Sequence, residues 1–195
     1  QFKERGRGFT FAADEPLDMR FDISANVPTA AEILNTSSVD ELYKIFHNYG
    51  EENLSLEIAK AIGEFRKKAE IKTTGQLVEI VLQVYRQKLH TDKEIPWVGG
   101  THPATKVFQA LRIAVNQEFE VLKQALPQAL EVLGKGGRLA VITFHSLEDR
   151  IVKQFFQRNV HLVKMVNKKP IVAGEKELLA NPSARSAKLR VVEKI

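Results

Sequence analysis

The sequence contains no cysteine, and it contains no apolar run long enough to cross a membrane. The first absence excludes disulfide bonds, thiolate zinc sites and cysteine nucleophiles, and it fits a reducing compartment. The second predicts no membrane partner, because a spanning helix needs about twenty consecutive apolar residues. The five histidines lack the spacing of metal ligands, so no metal site is predicted. What remains is a chain of 195 residues, 44% of them hydrophobic, which is enough for a packed core.

Positive charge is concentrated in the last quarter of the chain. From Arg150 to Ile195 there are eleven lysines and arginines against three glutamates, a balance of +8, whereas residues 1–149 carry −3. A basic segment on a mildly acidic body indicates a polyanionic partner such as a nucleic acid. The alternative is a basic surface that only contacts solvent.

The first half of the chain predicts a structured loop followed by helices. Residues 1–28 lack sustained periodicity, but Phe9, Phe11, Met19 and Phe21 would anchor them to a core. The stretch 29–90 has helical periodicity throughout, and Ser38 with Glu41 predicts a capping box. The helices predicted there are Val39–Tyr49, closed by Gly50, Leu54–Glu70, and one that Thr74 caps.

A change of composition over residues 91–102, which include Pro96, Trp97 and two glycines, predicts a domain boundary. A single long helix is expected after it, from Ala104 to about Leu126, with a kink at Pro127. Final strands are expected at Val160–Val166 and Lys188–Val192, with a loop or hairpin between them.

The most informative stretch is a glycine-rich turn, Gly134–Gly137, followed by a short apolar run that ends in Phe144, His145 and Ser146. It predicts a buried strand, and Ser146 three residues before Asp149 predicts a near-capping box for a helix over Leu147–Gln157. Open α/β sheets bind ligands at the carboxyl ends of their strands. His145 and Ser146 are therefore candidate site residues, although composition alone favours a serine cap with a neighbouring histidine.

Seven segments, in order along the whole chain, resemble one family. They are Arg7–Phe11, Pro16–Asp22, Thr29–Glu32, Tyr49–Glu52, His102–Ile113, Phe144–Lys153 and Asn181–Ser186. Together they resemble the bacterial small-subunit ribosomal RNA (cytosine-N4)-methyltransferases, the RsmH or MraW family. The resemblance implies an α/β fold, the later half of a class I (Rossmann-like) methyltransferase sheet with an inserted all-α domain. It divides the chain into an active-site loop region, the helical insert and the returning half of the sheet, at residues 1–28, 29–102 and 103–195.

The resemblance also implies a reaction, the transfer of a methyl group from S-adenosylmethionine to a cytidine of the decoding region, in the cytoplasm. The family's glycine-rich cofactor loop and acidic ribose contact have no counterpart in this sequence, which leaves Gln1 as the cofactor-binding residue. We therefore expect a truncated form that is inactive by itself. The alternatives are a non-catalytic module that binds ribosomal RNA and a purely structural fragment. The expected partners are small-subunit ribosomal RNA and, as one option, a second copy of the chain in a homodimer.

Within this resemblance, His145 and Ser146 are expected to line the cytosine pocket, because they lie at the strand edge. Asp18 and Arg20 are expected to be polar members of a loop that closes it. The final basic segment is expected to contact RNA phosphates through Arg185, Lys188 and Arg190.

Overall fold

The structure, a computed structural model, describes residues 6–95, 98 and 100–195. Gln1, Pro96, Trp97 and Gly99 lie outside the described residues. The chain forms two compact units, Gln1–Gln117 and Glu118–Ile195. No helix within the described ranges has both the length and the apolar character needed to cross a membrane.

Over the residues described, the first unit consists of a loop followed by helices. Three of its helices begin with reciprocal capping boxes, formed by the pairs Thr29–Glu32, Ser38–Glu41 and Thr73–Gln76. The box at Ser38 confirms the sequence prediction. The five helices are α1 (Ala30–Thr36), α2 (Val39–Gly50), α3 (Ser55–Phe65), α4 (Thr74–Leu89) and α5 (Thr105–Asn116).

The apolar faces of these helices meet in one large core. Helix α2 packs against α3 and α5, and α3 packs against α4. The loop that precedes α1 joins the same core through Leu17 and Met19, which are fully buried, and through Phe9 and Phe11, which pack against it. The predicted apolar anchoring of residues 1–28 is thus confirmed for these side chains. Burial of such faces is the main source of helix stability.

Three predicted helix ends in this unit are wrong. Thr74 is not the cap of α4, because Thr73 takes that role while the Thr74 hydroxyl accepts from Glu15 N at 2.9 Å and donates to Ala13 O at 2.9 Å. Gly50 does not close α2 but lies inside it, and the left-handed residue is Glu51, with φ 48°. Helix α3 also ends at Phe65 rather than at Glu70.

The reason for Gly50 is a close helix approach rather than a turn. A Cβ at this position would lie 2.6 Å from the carbonyl oxygen of Lys106 in α5. Side chains of ordinary size do not fit at such a distance, so glycine lets the backbones of α2 and α5 approach.

The long helix expected between Ala104 and Leu126 is interrupted at a different residue. Helix α5 stops before Gln117, which has φ 49° and whose N–H donates to Ile113 O and Ala114 O. The next helix, α6 (Glu118–Glu131), continues through Pro127. Because α5 packs on α2, the first compact unit extends past the predicted boundary at residue 102. The three-part division of the methyltransferase domain stays a prediction.

The second unit combines helices with a small sheet. Its further elements are β1 (Arg138–Thr143), α7 (Ser146–Arg158), β2 (Val163–Met165), β3 (Ile171–Val172), α8 (Glu175–Ala180), a 3₁₀ turn (Pro182–Ser186) and β4 (Lys188–Lys194). Strand β4 is central, since β1, β2 and β3 all pair with it, and each of these described pairings is antiparallel. The α/β class is therefore confirmed at this level.

The apolar core of the second unit is smaller than that of the first. Val152 and Phe156 of α7 pack with Val192 of β4 and with apolar residues of α6. Strand β1 was expected to be buried, but its residues alternate, and Ile142 is 58% exposed. Only Val163–Met165 of the predicted Val160–Val166 strand pairs with β4, because residues 159–162 form a turn.

Candidate active-site residues

His145 caps helix α7 at the carboxyl end of β1. Its backbone is extended, with φ −146° and ψ 167°, and its Nδ1 accepts from Glu148 N at 3.3 Å. Glu148 reciprocates, because its Oε2 accepts from Phe144 N at 2.8 Å and from His145 N at 3.3 Å. The cap predicted from Ser146 and Asp149 is therefore wrong by one residue. Ser146 is the first residue of the helix, and it is exposed.

This cap assigns a role to one imidazole nitrogen, because Nδ1 of His145 accepts from the helix end. The Nε2 atom lies 3.4 Å from Glu148 Oε1, and the ring lies 5.8 Å from the ring of Phe119. These contacts hold the imidazole in one orientation.

Glu118, the first residue of α6, joins this group. Ligand atoms of Glu118, His145 and Glu148 all lie within 4.8 Å of one another. Two carboxylates and an imidazole are a donor set that divalent cations accept. Nδ1 of His145 serves the helix cap, which leaves Nε2 as the imidazole nitrogen that could face such an ion. Spacing along the chain does not reveal Glu118, since it belongs to another helix.

Asp149 fastens α7 to the central strand. Arg190 of β4 donates from Nε to Asp149 Oδ1 at 2.6 Å and from Nη2 to Oδ2 at 3.0 Å. The guanidinium holds the pKa of Asp149 below its usual range, mainly through these hydrogen bonds. Lys188 Nζ lies 3.6 Å from the same carboxylate. The strand register, with Arg190 opposite Val141 of β1, brings these side chains to the start of the helix.

The three residues expected to contact RNA have different surroundings. The Arg190 side chain is only 8% exposed, because Asp149 occupies its guanidinium. The Lys188 side chain is 38% exposed, and Arg185 is an exposed residue of the 3₁₀ turn. Arg185 and Lys188 are accessible to a phosphate, whereas Arg190 mainly holds Asp149.

In the first unit, Asp18 and Arg20 form an ion pair within the loop before α1. Arg20 donates from Nε to Asp18 Oδ1 at 2.9 Å and from Nη2 to Oδ2 at 2.8 Å. The hydrogen bond from Arg20 is the main cause of a lowered Asp18 pKa. Between them, Met19 has φ 62° and is fully buried. The left-handed conformation directs the apolar side chain into the core while both charged neighbours remain partly exposed.

The described residues do not form a nucleotide-type cradle for a cofactor. Such a site needs a strand followed by a turn with several glycines and then a helix. In the part of the chain that the structure describes, the turn Gly134–Gly137 precedes β1, and the link from β1 to α7 contains no glycine. The expected cofactor contact at Gln1 lies outside the described residues.

The described residues include a charged loop in the first unit and, in the second, a strand that ends in a capped histidine and a basic segment. Such groups suit an enzyme or binding protein that acts on a polar substrate. Comparison with known proteins gives the class. The chain matches the MraW methylase family over residues 1–195, and it belongs to that family. The family resemblance of the seven sequence segments is thereby confirmed.

Two curated relatives carry the name ribosomal RNA small subunit methyltransferase H. The chain is 47% identical over 191 residues to the protein of Persephonella marina (strain DSM 14350 / EX-H1), covering 97% of this chain and 62% of that relative. It is 45% identical over 215 residues to the protein of Brevibacillus brevis (strain 47 / JCM 6285 / NBRC 100599), covering 100% and 65% respectively. The chain thus spans just under two thirds of the length of these relatives.

Proposed function

We propose that this chain takes part in the S-adenosylmethionine-dependent N4-methylation of a cytidine in the decoding region of small-subunit ribosomal RNA. The observation that carries the proposal is the family match along the whole chain, together with relatives named for ribosomal RNA methylation. The proposal includes the fold expected from the family, half of a Rossmann-like sheet with a helical insert. S-adenosylmethionine supplies the methyl group, and the described residues are assigned to the RNA rather than to the cofactor.

Residues at the start of α7 are proposed to receive the target base. Phe144 is 54% exposed beside the capped His145, and an aromatic face can stack on a base that has left its helix. His145 is held by Glu148 through the helix cap, so it presents an imidazole in a fixed orientation. The hydroxyl of Ser146 follows at the first position of the helix.

The loop of the first unit is proposed to supply a second set of polar groups. The guanidinium of Arg20 is neutralised by Asp18 yet stays 21% exposed, so it can donate to RNA without the cost of an isolated charge. Phosphates are proposed to contact Arg185 and Lys188, which position the RNA without reading its sequence. Arg190 supports them by holding Asp149.

A non-catalytic RNA-binding module is the second candidate function. It is favoured by the basic balance of the last quarter of the chain and by the lack of a cofactor cradle in the described residues. It predicts RNA affinity without methyl transfer, whereas the first candidate requires both.

The test is methyl transfer from labelled S-adenosylmethionine to small-subunit RNA by the gene product that carries this chain. Asp18→Ala and His145→Ala should each lower the rate at least about tenfold, as loss of a positioned polar group does. Lys67→Ala serves as the control, because Lys67 is paired with Glu64 on an exposed face of the first unit. Near-wild-type rates in both site variants would remove these residues from the site. RNA binding with no methyl transfer at all would favour the module.

A further inference from the structure

Asn116, the last residue of α5, contacts the backbone on both sides of Arg20. Its Nδ2 donates to Met19 O at 2.7 Å, and its Oδ1 accepts from Phe21 N at 2.7 Å. The same Nδ2 also donates to Arg112 O at 2.9 Å, one turn earlier in the helix. One side-chain amide thus binds two peptide groups that are about a hundred positions away in sequence and that flank a single residue.

The pattern of donors and acceptors determines which way this amide points. Two carbonyl oxygens face the nitrogen and one N–H faces the oxygen, so the reverse orientation would lose all three hydrogen bonds. An asparagine satisfies this arrangement because it combines a double donor and an acceptor on a short side chain. An aspartate would place a carboxylate oxygen against two carbonyl oxygens, and an alanine would leave the peptide groups without these partners.

The loop needs such a support because its conformation is costly. Met19 is a non-glycine residue with φ 62°, a conformation that L-residues adopt with some strain. Its N–H donates to Arg7 O at 2.9 Å, and Arg7 in turn donates from Nη2 to the carbonyl oxygens of Arg20 and Phe21. The peptide on each side of Arg20 is therefore fixed by groups from elsewhere in the first unit.

We propose that Asn116 is a positioning residue that sets the direction of the Arg20 guanidinium, and with it the Asp18–Arg20 pair, for contact with RNA. Asn116 acts through the backbone of residues 19–21 and does not itself touch the substrate. The proposal rests on the function proposed above, in which Arg20 contacts the RNA. The helix that carries Asn116 is a firm base for this role, because α5 is packed on α2 in the core of the unit.

Gln109 offers a matched control on the same helix. Its side-chain amide donates from Nε2 to Tyr49 O at 3.2 Å, so it also ties α5 to a distant backbone carbonyl. Its contact lies on α2 rather than on the loop of Asp18 and Arg20. A loss of stability alone should therefore be common to Asn116→Ala and Gln109→Ala, and a loss of positioning should be confined to the former.

The experiment measures two quantities in Asn116→Ala, Gln109→Ala and Arg20→Ala. The first is the titration of the Asp18 carboxyl by NMR, and the second is the affinity for a decoding-region RNA fragment at a temperature where every variant is folded. In Asn116→Ala the Asp18 pKa should rise, because the ion pair loosens, and the RNA affinity should fall about tenfold, the usual weight of one charge-assisted contact. Gln109→Ala should change neither quantity. In an Arg20→Ala background, Asn116→Ala should have no further effect on affinity.

The outcomes separate this inference from the proposed function. If Arg20→Ala lowers RNA affinity while Asn116→Ala matches Gln109→Ala in both measurements, the positioning role is overturned and the function stands. If Arg20→Ala leaves RNA affinity unchanged, the proposed RNA contact of Arg20 fails, and the Asp18 titration still decides whether Asn116 holds the pair. Should Asn116→Ala lose its cooperative unfolding transition, Asn116→Ser replaces it, because a hydroxyl retains one of the hydrogen bonds. Unchanged titration in that variant counts against the role equally.

Discussion

The two compact units are stabilised by different kinds of contact. The first, Gln1–Gln117, buries large apolar side chains from α2, α3, α4 and α5 in one extensive core. The second, Glu118–Ile195, has a smaller core and leaves apolar side chains such as Ile142 and Phe144 exposed. At its centre it relies on polar ties, chiefly Asp149 with Arg190 and the cap between His145 and Glu148.

The difference matters for function because different contacts hold the candidate residues in place in the two units. In the first unit the charged pair of Asp18 and Arg20 lies on a loop that the buried side chain of Met19 anchors to the apolar core. In the second unit Lys188 and Arg190 of β4 contact Asp149 of α7, and His145 caps the same helix. Mutations of Arg190 and His145 should therefore affect stability and site geometry together, whereas those of Asp18 and Arg20 in the first unit should separate them.

The largest expected effect tests the difference in core size. Phe46→Ala and Phe156→Ala each remove a fully buried phenyl ring, which costs about 3–5 kcal/mol of unfolding free energy. The smaller core should tolerate this less well, so Phe156→Ala should abolish slow hydrogen exchange in α7 and β4. Phe46→Ala should leave part of the slow exchange of the first unit intact. The reverse ranking would show that core size does not govern the stability of these units.

The next effect tests the reliance of the second unit on charge. Asp149→Asn should destabilise it by about 3 kcal/mol at neutral pH, because it leaves the buried guanidinium of Arg190 without its counter-charge. The pKa of Asp149 is lowered in the folded state, so the ion pair stabilises the fold above the ordinary carboxyl pKa. This contribution is lost as the pH falls through the folded pKa.

Urea unfolding of the wild type and Asp149→Asn between neutral pH and pH 3 checks this sign. The gap in unfolding free energy between the two proteins should narrow as the solution becomes acidic. Asp40→Asn, on an exposed position of α2, is the control and should show no such gap. A gap that stayed constant with pH would assign the effect to packing rather than to charge.

A smaller effect is expected where α2 and α5 approach each other. Gly50→Ala should destabilise the first unit by about 1–3 kcal/mol through overpacking, although alanine is the better helix former. The added Cβ would lie 2.6 Å from a backbone oxygen, which cannot move aside. Gly63→Ala is the matched control in α3, because its Cβ would meet a side-chain methyl group of Val39 at 3.0 Å rather than a backbone atom. Equal unfolding free energies for the two variants would disprove the close approach as the reason for Gly50.

The smallest expected effect concerns the basic segment of the second unit. Arg185→Ala and Lys188→Ala should each reduce the slope of log affinity against log salt by roughly 0.7 for single-stranded RNA. Arg190→Ala should change stability rather than the slope, since its guanidinium is bound to Asp149. Salt titrations of RNA binding with the three variants check this. Unchanged slopes in the first two would mean that the positive charge only contacts solvent.

Several features of the site could be predicted from the sequence, because they depend on neighbours in the chain. The end of a strand at Phe144, the helix after it and the basic character of the last quarter are local properties. The cap was misplaced by one residue because serine is the more common cap, and only the extended backbone of His145 gives the histidine that role. A kink is predicted at Pro127 because proline generally interrupts helices, but α6 continues through this residue.

The sequence by itself determined the helical periodicity of the first unit, the succession of β1 and α7, and the family, since each depends on the spacing and identity of adjacent residues. Only the tertiary structure decided which polar groups meet. Asn116 lies nearly a hundred positions from Met19 and Phe21, and Asp149 lies 41 positions from Arg190. Hydrogen bonds need heavy atoms within about 3 Å, and such contacts between distant segments depend on how helices and strands pack rather than on any local pattern.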